Sequence, residues 1–171
     1  CASHPGMAFP AILARALDVQ IYNFGFSGNA CLEPEMADVL ARVPGLRLLV
    51  VDAEANAGPL GCLGRLPAFL ARLRAACPRL PILVVSAPLG PLEAQQPNRV
   101  AQKDAWRAAQ RDAVEQARAG GDANIAFLDG HTLWPDGGEE YTVDGVHPTD
   151  LGFYFMARGL LPVLLPYLTE E

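Results

Sequence analysis

The chain is short of positive charge. Thirteen Lys and Arg stand against 19 Asp and Glu, a formal net charge of −6, and the pI is near 5.0. Nucleic acid and anionic membranes both need a basic patch on their partner, so neither is expected. Lys103, the only lysine, reads as a matter of composition and not as a site. Long apolar runs are also missing. The tail Gly159-Leu160-Leu161-Pro162-Val163-Leu164-Leu165-Pro166-Tyr167-Leu168 comes nearest, but it is broken by prolines and short of the roughly 20 residues a membrane helix requires. No membrane span is expected. Cys1, Cys31, Cys62 and Cys77 form no CxxC pair and no zinc-type spacing, which suggests scattered buried thiols. His4 and His131 read as loop histidines, and no third ligand stands at useful spacing, so no metal and no cofactor is expected.

What is present describes a folded chain. Apolar residues make up 51% and charged residues 19% of 171, enough for one domain, 1–171, with a sizeable core. The pattern predicts helices over 7–17, 33–43, 64–77, 98–119 and 149–168. Along 98–119, Val100, Ala101, Ala105, Ala108, Val114 and Ala117 are expected to face inward. Strands are predicted over 19–24, 46–52, 80–86 and 123–128, the middle two as apolar runs suited to a sheet covered on both faces. Alternating strands and helices imply an α/β fold with a parallel sheet. In such sheets ligands sit beyond the carboxyl ends of the strands. The loops 25–30, 53–59 and 129–147 all follow strands, so they are expected to share one rim.

Those loops carry the chemistry. Asp144-Gly145-Val146-His147 sets a carboxylate three residues before an imidazole in a Gly/Pro-punctuated loop. A neutral imidazole can take a proton from a hydroxyl nucleophile while the carboxylate holds its other nitrogen. Gly25-Phe26-Ser27-Gly28-Asn29 offers backbone N–H groups with no Cβ in the way at Gly28. Asn56, after the next strand, could add a side-chain amide to form an oxyanion hole. Glu93 reads as a solvated loop carboxylate. Trp134, Tyr141 and Phe153 read as core packing before pocket lining. A two-carboxylate glycosidase reading from Asp52 and Glu54 is set aside, because nothing fixes a partner at the needed separation.

Together, Asn23-Phe24-Gly25-Phe26-Ser27-Gly28-Asn29, Leu32-Glu33-Pro34-Glu35, Asn56 and the ending Asp144-Gly145-Val146-His147-Pro148-Thr149-Asp150-Leu151-Gly152-Phe153 resemble the SGNH (GDSL-like) hydrolase and esterase superfamily. The resemblance is to its GDSL-like lipase/acylhydrolase branch and extends over nearly the whole chain. It implies a flavodoxin-like three-layer α/β/α sandwich, with His147 as general base, Asp144 as its partner, and Gly28 and Asn56 as oxyanion donors. It also implies a serine esterase acting on short acyl esters such as acetyl esters, including those of carbohydrates. Two departures stand out. Glu54-Ala55-Asn56-Ala57 keeps only the Asn of the family's Gly-x-Asn-Asp block. The Gly-x-Ser turn and the central strand before it have no counterpart here. The chain opens on Cys1 and not on Met, so both are expected upstream, and residues 1–171 alone are expected to be inactive. Ser27, in a near match to a nucleophile elbow, and Ser3 are the substitutes within the chain. The alternative function is a non-catalytic carbohydrate- or ligand-binding domain; a flavodoxin-like redox domain would need a phosphate-binding loop these residues do not show. Compartment and oligomeric state stay open.

Overall fold

The computed structural model describes residues 1–135 and 138–169. Contacts divide the chain into two compact units, each taken by itself below.

The unit formed by Phe24–Ala87 and Asp104–Leu128 holds a parallel sheet of three strands, β1 (Leu49–Val51), β2 (Ile82–Val85) and β3 (Ile125–Leu128), in the order β1-β2-β3. Leu49 pairs with Ile82, which pairs in turn with Ile125. β2 is buried at all four positions, which explains its unbroken Ile-Leu-Val-Val run: a central parallel strand has no wet face. The chain is therefore α/β, as its pattern of elements predicts. A helix numbered α2 in chain order (Pro34–Leu40) packs on α4 (Leu66–Ala76). Leu66, Phe69, Leu70 and Leu73 of α4 fall at helical spacing and join Leu40, Val51, Ile82, Val84 and Ile125 in one apolar cluster. α3 is a single turn (Glu54–Ala57) directly after β1, where the sequence suggests plain loop. Arg74, near the end of α4, gathers the segments that lead into β2 and β3. Its guanidinium pairs with Asp122 at 2.8 Å and donates to the carbonyls of Cys77, Pro78, Leu80 and Asn124.

The other unit comprises Cys1–Asn23, Pro88–Lys103 and the described part of Asp129–Glu171. α1 (Phe9–Leu17) packs on α7 (Asp150–Thr169). Gly152, Met156, Leu160 and Leu164 form the buried stripe of α7 at steps of four residues, one face of a helix. Pro162 and Pro166 lie on its exposed side, where water can satisfy the carbonyls they leave unbonded. By length and composition Asp150–Leu168 could cross a membrane, but a core helix passes the same test, and this one carries a packed stripe. Trp134 is buried with its indole N–H on the Gly152 carbonyl, Tyr141 packs against Trp134 and Phe155, and Phe153 against Phe9.

Several expectations fail. Residues 19–24 form no strand, and Ile21 and Tyr22 are exposed. A β-rich sequence becomes a strand only beside another. In the long helix α6 (Pro97–Ala119), which runs through both units, Ala101 and Ala105 are exposed, while Lys103, Gln110, Ala113 and Val114 are buried. Two polar side chains on the inward stripe mask the apolar period. Lys103 reaches Glu93 at 3.2 Å, and Glu93, far from being solvated, is 7% exposed. Glu93 belongs to α5 (Pro91–Ala94).

Candidate active site

The segment 141–149 closes on itself. Thr142 and Pro148 form an isolated antiparallel bridge, Val143 N–H donates to the His147 carbonyl at 2.9 Å, and Thr149 N–H to the Tyr141 carbonyl at 2.8 Å. The turn between them uses a left-handed residue, Gly145 at φ +86°, where glycine carries no steric penalty. Inside this pinch Asp144 organises its own loop. One carboxylate oxygen accepts from the amides of Val146 (3.0 Å) and His147 (2.7 Å), and the other lies 2.6 Å from His147 Nδ1. The spacing of three residues is what lets one carboxylate serve both amides and ring. The His147 amide, then its ring, then the Val146 amide hold the Asp144 carboxyl well below the usual carboxylate range. A carboxylate on Nδ1 selects the tautomer with its proton there, which leaves the Nε2 lone pair able to accept. The side chains of His147 and Asp144 are 65% and 50% exposed, so the pair is open to a substrate.

In the sheet-bearing unit, Phe26, Ser27 and Gly28 are successive left-handed residues, with φ of 50°, 49° and 95°. A Cβ placed on Gly28 would sit 3.9 Å from the Asn56 amide nitrogen, so the glycine turn and the amide adjoin. Asn56 is carried by α3, and the first residue of that turn is anchored. Glu54 is fully buried, and its carboxylate accepts from Gln110 Nε2 at 2.6 Å and from Ala87 N–H at 3.2 Å. Gly58 lets α3 lie against the Trp106 ring, which a Cβ there would meet at 2.7 Å. The sequence pattern raises Glu54 only in the glycosidase reading set aside above and does not single out Gln110. The available signal is a carboxylate set in an alanine-rich stretch straight after a buried strand, with an amide on the inward stripe of α6.

The substitute nucleophiles have other engagements or other surroundings. Ser3 donates from its amide (2.7 Å) and its hydroxyl (2.5 Å) to Asp150, and its hydroxyl lies 3.0 Å from His4 Nδ1. The Ser3 hydroxyl in turn holds the Asp150 carboxyl below its ordinary range. The side-chain and amide hydrogen bonds of His147, in the same unit, go to Asp144. Ser27 is exposed on its left-handed turn. All four thiols are free. Cys31 is buried, and a hydrogen bond with the Cys62 thiol is the main cause of its raised pKa. Among the described residues no group of three His, Cys, Asp or Glu could hold a metal ion.

Comparison with known proteins completes the picture. The family model of the GDSL-like lipase/acylhydrolases matches residues 1–165. No curated protein matches the chain. Among solved structures, the chain is similar to a protein described as a GDSL-like lipase from Bacteroides ovatus, with 31% identity and a TM-score of 0.88 over 99% of this chain and 50% of that one. It is also similar to a salicylyl-acyltransferase from a tetracycline biosynthetic pathway, with 23% identity and a TM-score of 0.76 over 96% of this chain and 51% of that one. A carbohydrate acetylesterase family member from Sinorhizobium meliloti aligns with 19% identity and a TM-score of 0.62, over 98% of this chain and 89% of that one. The last two likenesses bear on fold alone. The chain spans about half the length of the first two structures.

Proposed function

The chain belongs to the GDSL-like lipase/acylhydrolase family, and on that premise we propose that it serves a serine esterase acting on short acyl esters, acetyl esters of carbohydrates among them. The observation that carries the reading is the 2.6 Å contact between His147 Nδ1 and Asp144 in a loop that fixes both. In this reading His147 Nε2 takes the proton of a serine hydroxyl as that oxygen attacks the ester carbonyl. Asp144 keeps Nδ1 protonated and stabilises the imidazolium that forms. The Gly28 N–H and the Asn56 amide donate to the oxyanion of the tetrahedral intermediate. The imidazolium then protonates the leaving alcohol, and water, deprotonated by the same ring, clears the acyl-enzyme. We assign the nucleophile to a serine preceding Cys1 in the full-length protein. In support, the Ser3 hydroxyl is taken up by Asp150 and His4 and Ser86 is fully buried; Ser27, exposed on the turn that carries Gly28, stays the substitute within the chain. The carbohydrate part of the proposal follows the family resemblance; the acetylesterase shares the fold.

The test is a series of nitrophenyl esters of increasing acyl length on the full-length protein, with and without His147→Ala. Turnover should be fastest on the acetyl ester and fall by about 10²–10⁴ in the alanine variant, the usual contribution of a general base. Undiminished hydrolysis in that variant would remove His147 from the mechanism.

A further inference from the structure

Most hydrogen bonds of the 141–149 loop close it on itself; beyond these, the Pro148 carbonyl accepts from the Cys1 amine and the Thr149 hydroxyl from the Gly152 N–H. The aim of the loop depends also on what it abuts. On one side its Gly145 carbonyl meets the backbone of Gly90 so closely that a methyl group on Gly90 would collide with it. Gly90 caps α5, and its N–H donates to Glu93 Oε2 at 3.0 Å. The other oxygen of the same carboxylate lies 3.2 Å from Lys103 Nζ, with the two side chains only 9% and 8% exposed. Gly90, Glu93, Lys103 and Gly145 all lie in one compact unit. A buried ion pair rarely adds stability over apolar packing of the same volume. Its use here is geometric.

We propose that the buried Glu93–Lys103 pair positions His147, by holding the Gly90 backbone as the backstop on which the Gly145 carbonyl seats. This rests on the reading of His147 as the general base. The path is short. Lys103 fixes the Glu93 carboxylate, and the carboxylate fixes the Gly90 amide. The Gly90 backbone sets the level of Gly145, whose own N–H is held by the Thr142 hydroxyl at 3.2 Å. Gly145 directly follows Asp144, the residue that grips the ring. The lone lysine thus has a task that its composition does not reveal.

The experiment uses the full-length protein and three readouts: kcat and KM for nitrophenyl acetate, the NMR signal of the His147 Nδ1 proton, and thermal melting. Glu93→Leu with Lys103→Met removes both charges and the acceptor for Gly90. We expect kcat to fall at least tenfold with KM within about twofold, since a misplacement of about an ångström is enough for that, and the ring proton to shift or broaden. Glu93→Gln alone keeps an acceptor for the Gly90 N–H and an oxygen for Lys103 and should recover most of the turnover, which a role through the Glu93 charge alone would not predict. Gly90→Ala should reproduce the kcat loss by pushing on Gly145. A folded Glu93→Leu/Lys103→Met variant with unchanged kcat and ring signal overturns the proposal. Should that variant fail to fold, Gly90→Ala decides it by the same two readouts. Should the wild-type protein hydrolyse no ester, the reading of His147 as a base fails, while the ring signal still decides whether the pair positions it.

Discussion

Replacing Gly152 with alanine tests how tightly the His147 loop is seated on α7. Gly152 is buried in the first turn of that helix, and a Cβ there would run into the Tyr141 carbonyl and lie 3.2 Å from Pro148 Cβ. That carbonyl cannot swing away cheaply, because it accepts the Thr149 N–H at 2.8 Å. Gly152 is itself tied down, its N–H to the Thr149 hydroxyl and its carbonyl to the Trp134 indole. Overpacking costs about 1–3 kcal/mol, and a backbone obstacle puts this site near the upper end. Loss of the Thr149–Tyr141 bond adds about 1 kcal/mol, and the better helix propensity of alanine offsets about 1 kcal/mol. The net loss is about 3 kcal/mol. At about 2–4 °C per kcal/mol for a chain of this size, the melting temperature should fall by about 6–12 °C. Two further alanines calibrate the series by circular dichroism or calorimetry. At Gly159 the new Cβ meets Leu133 Cδ2 at 2.6 Å, the movable end of a side chain, so the loss should be about 1 kcal/mol. At Gly64 nothing lies within 4 Å, so melting should hold or rise. If Gly152→Ala melts no lower than Gly64→Ala, the reasoning is wrong, because the backbone contact it depends on is absent.

The remaining predictions concern the site and the thiols. Asn56→Ala should lower kcat by about 10²–10³, as loss of one oxyanion donor does, with little change in melting temperature; an effect confined to KM would assign the amide to ground-state binding instead. The Asp144 pKa is depressed by its loop, so its contribution to loop order is complete above the ordinary value of 3.8 and disappears only as pH falls through the lower folded value. An NMR titration of the Asp144 carboxyl should therefore inflect below 3.8, and an inflection at or above that value would contradict the geometry. Iodoacetamide at neutral pH should label exposed Cys1 first and Cys31 last, because Cys31 is buried and its thiol is pushed up by Cys62; mass spectrometry of the peptides reads the order.

The parts of this fold that could be read from sequence are those in which one residue type answers to one constraint. The runs 46–52, 80–86 and 123–128 contain the three described strands, and the clearest of them is β2, buried at every position, where a parallel strand tolerates little but branched apolar residues. The Asp144–His147 contact was legible because a carboxylate three residues ahead of an imidazole can satisfy ring and amides from within its own turn. Residues 19–24 misled because strand propensity is realised only through a neighbour, which local sequence does not report. The buried polar contacts were hidden for a related reason. Glu54 finds Gln110 56 residues away, and Lys103 finds Glu93 across a helix start. A charged residue on a helix looks solvated until its partner is known.

The Arg74 guanidinium has a consequence of its own for how the molecule comes apart. Four carbonyls and one carboxylate, from the stretches entering two neighbouring strands, share a single planar cation, and two of those carbonyls, Cys77 and Asn124, also accept backbone N–H groups. Those stretches share one latch, so thermal fraying at either entrance loosens the other. A lysine in the same place could not restore the latch, because a point charge on a flexible stem lacks the flat fork that reaches several acceptors together.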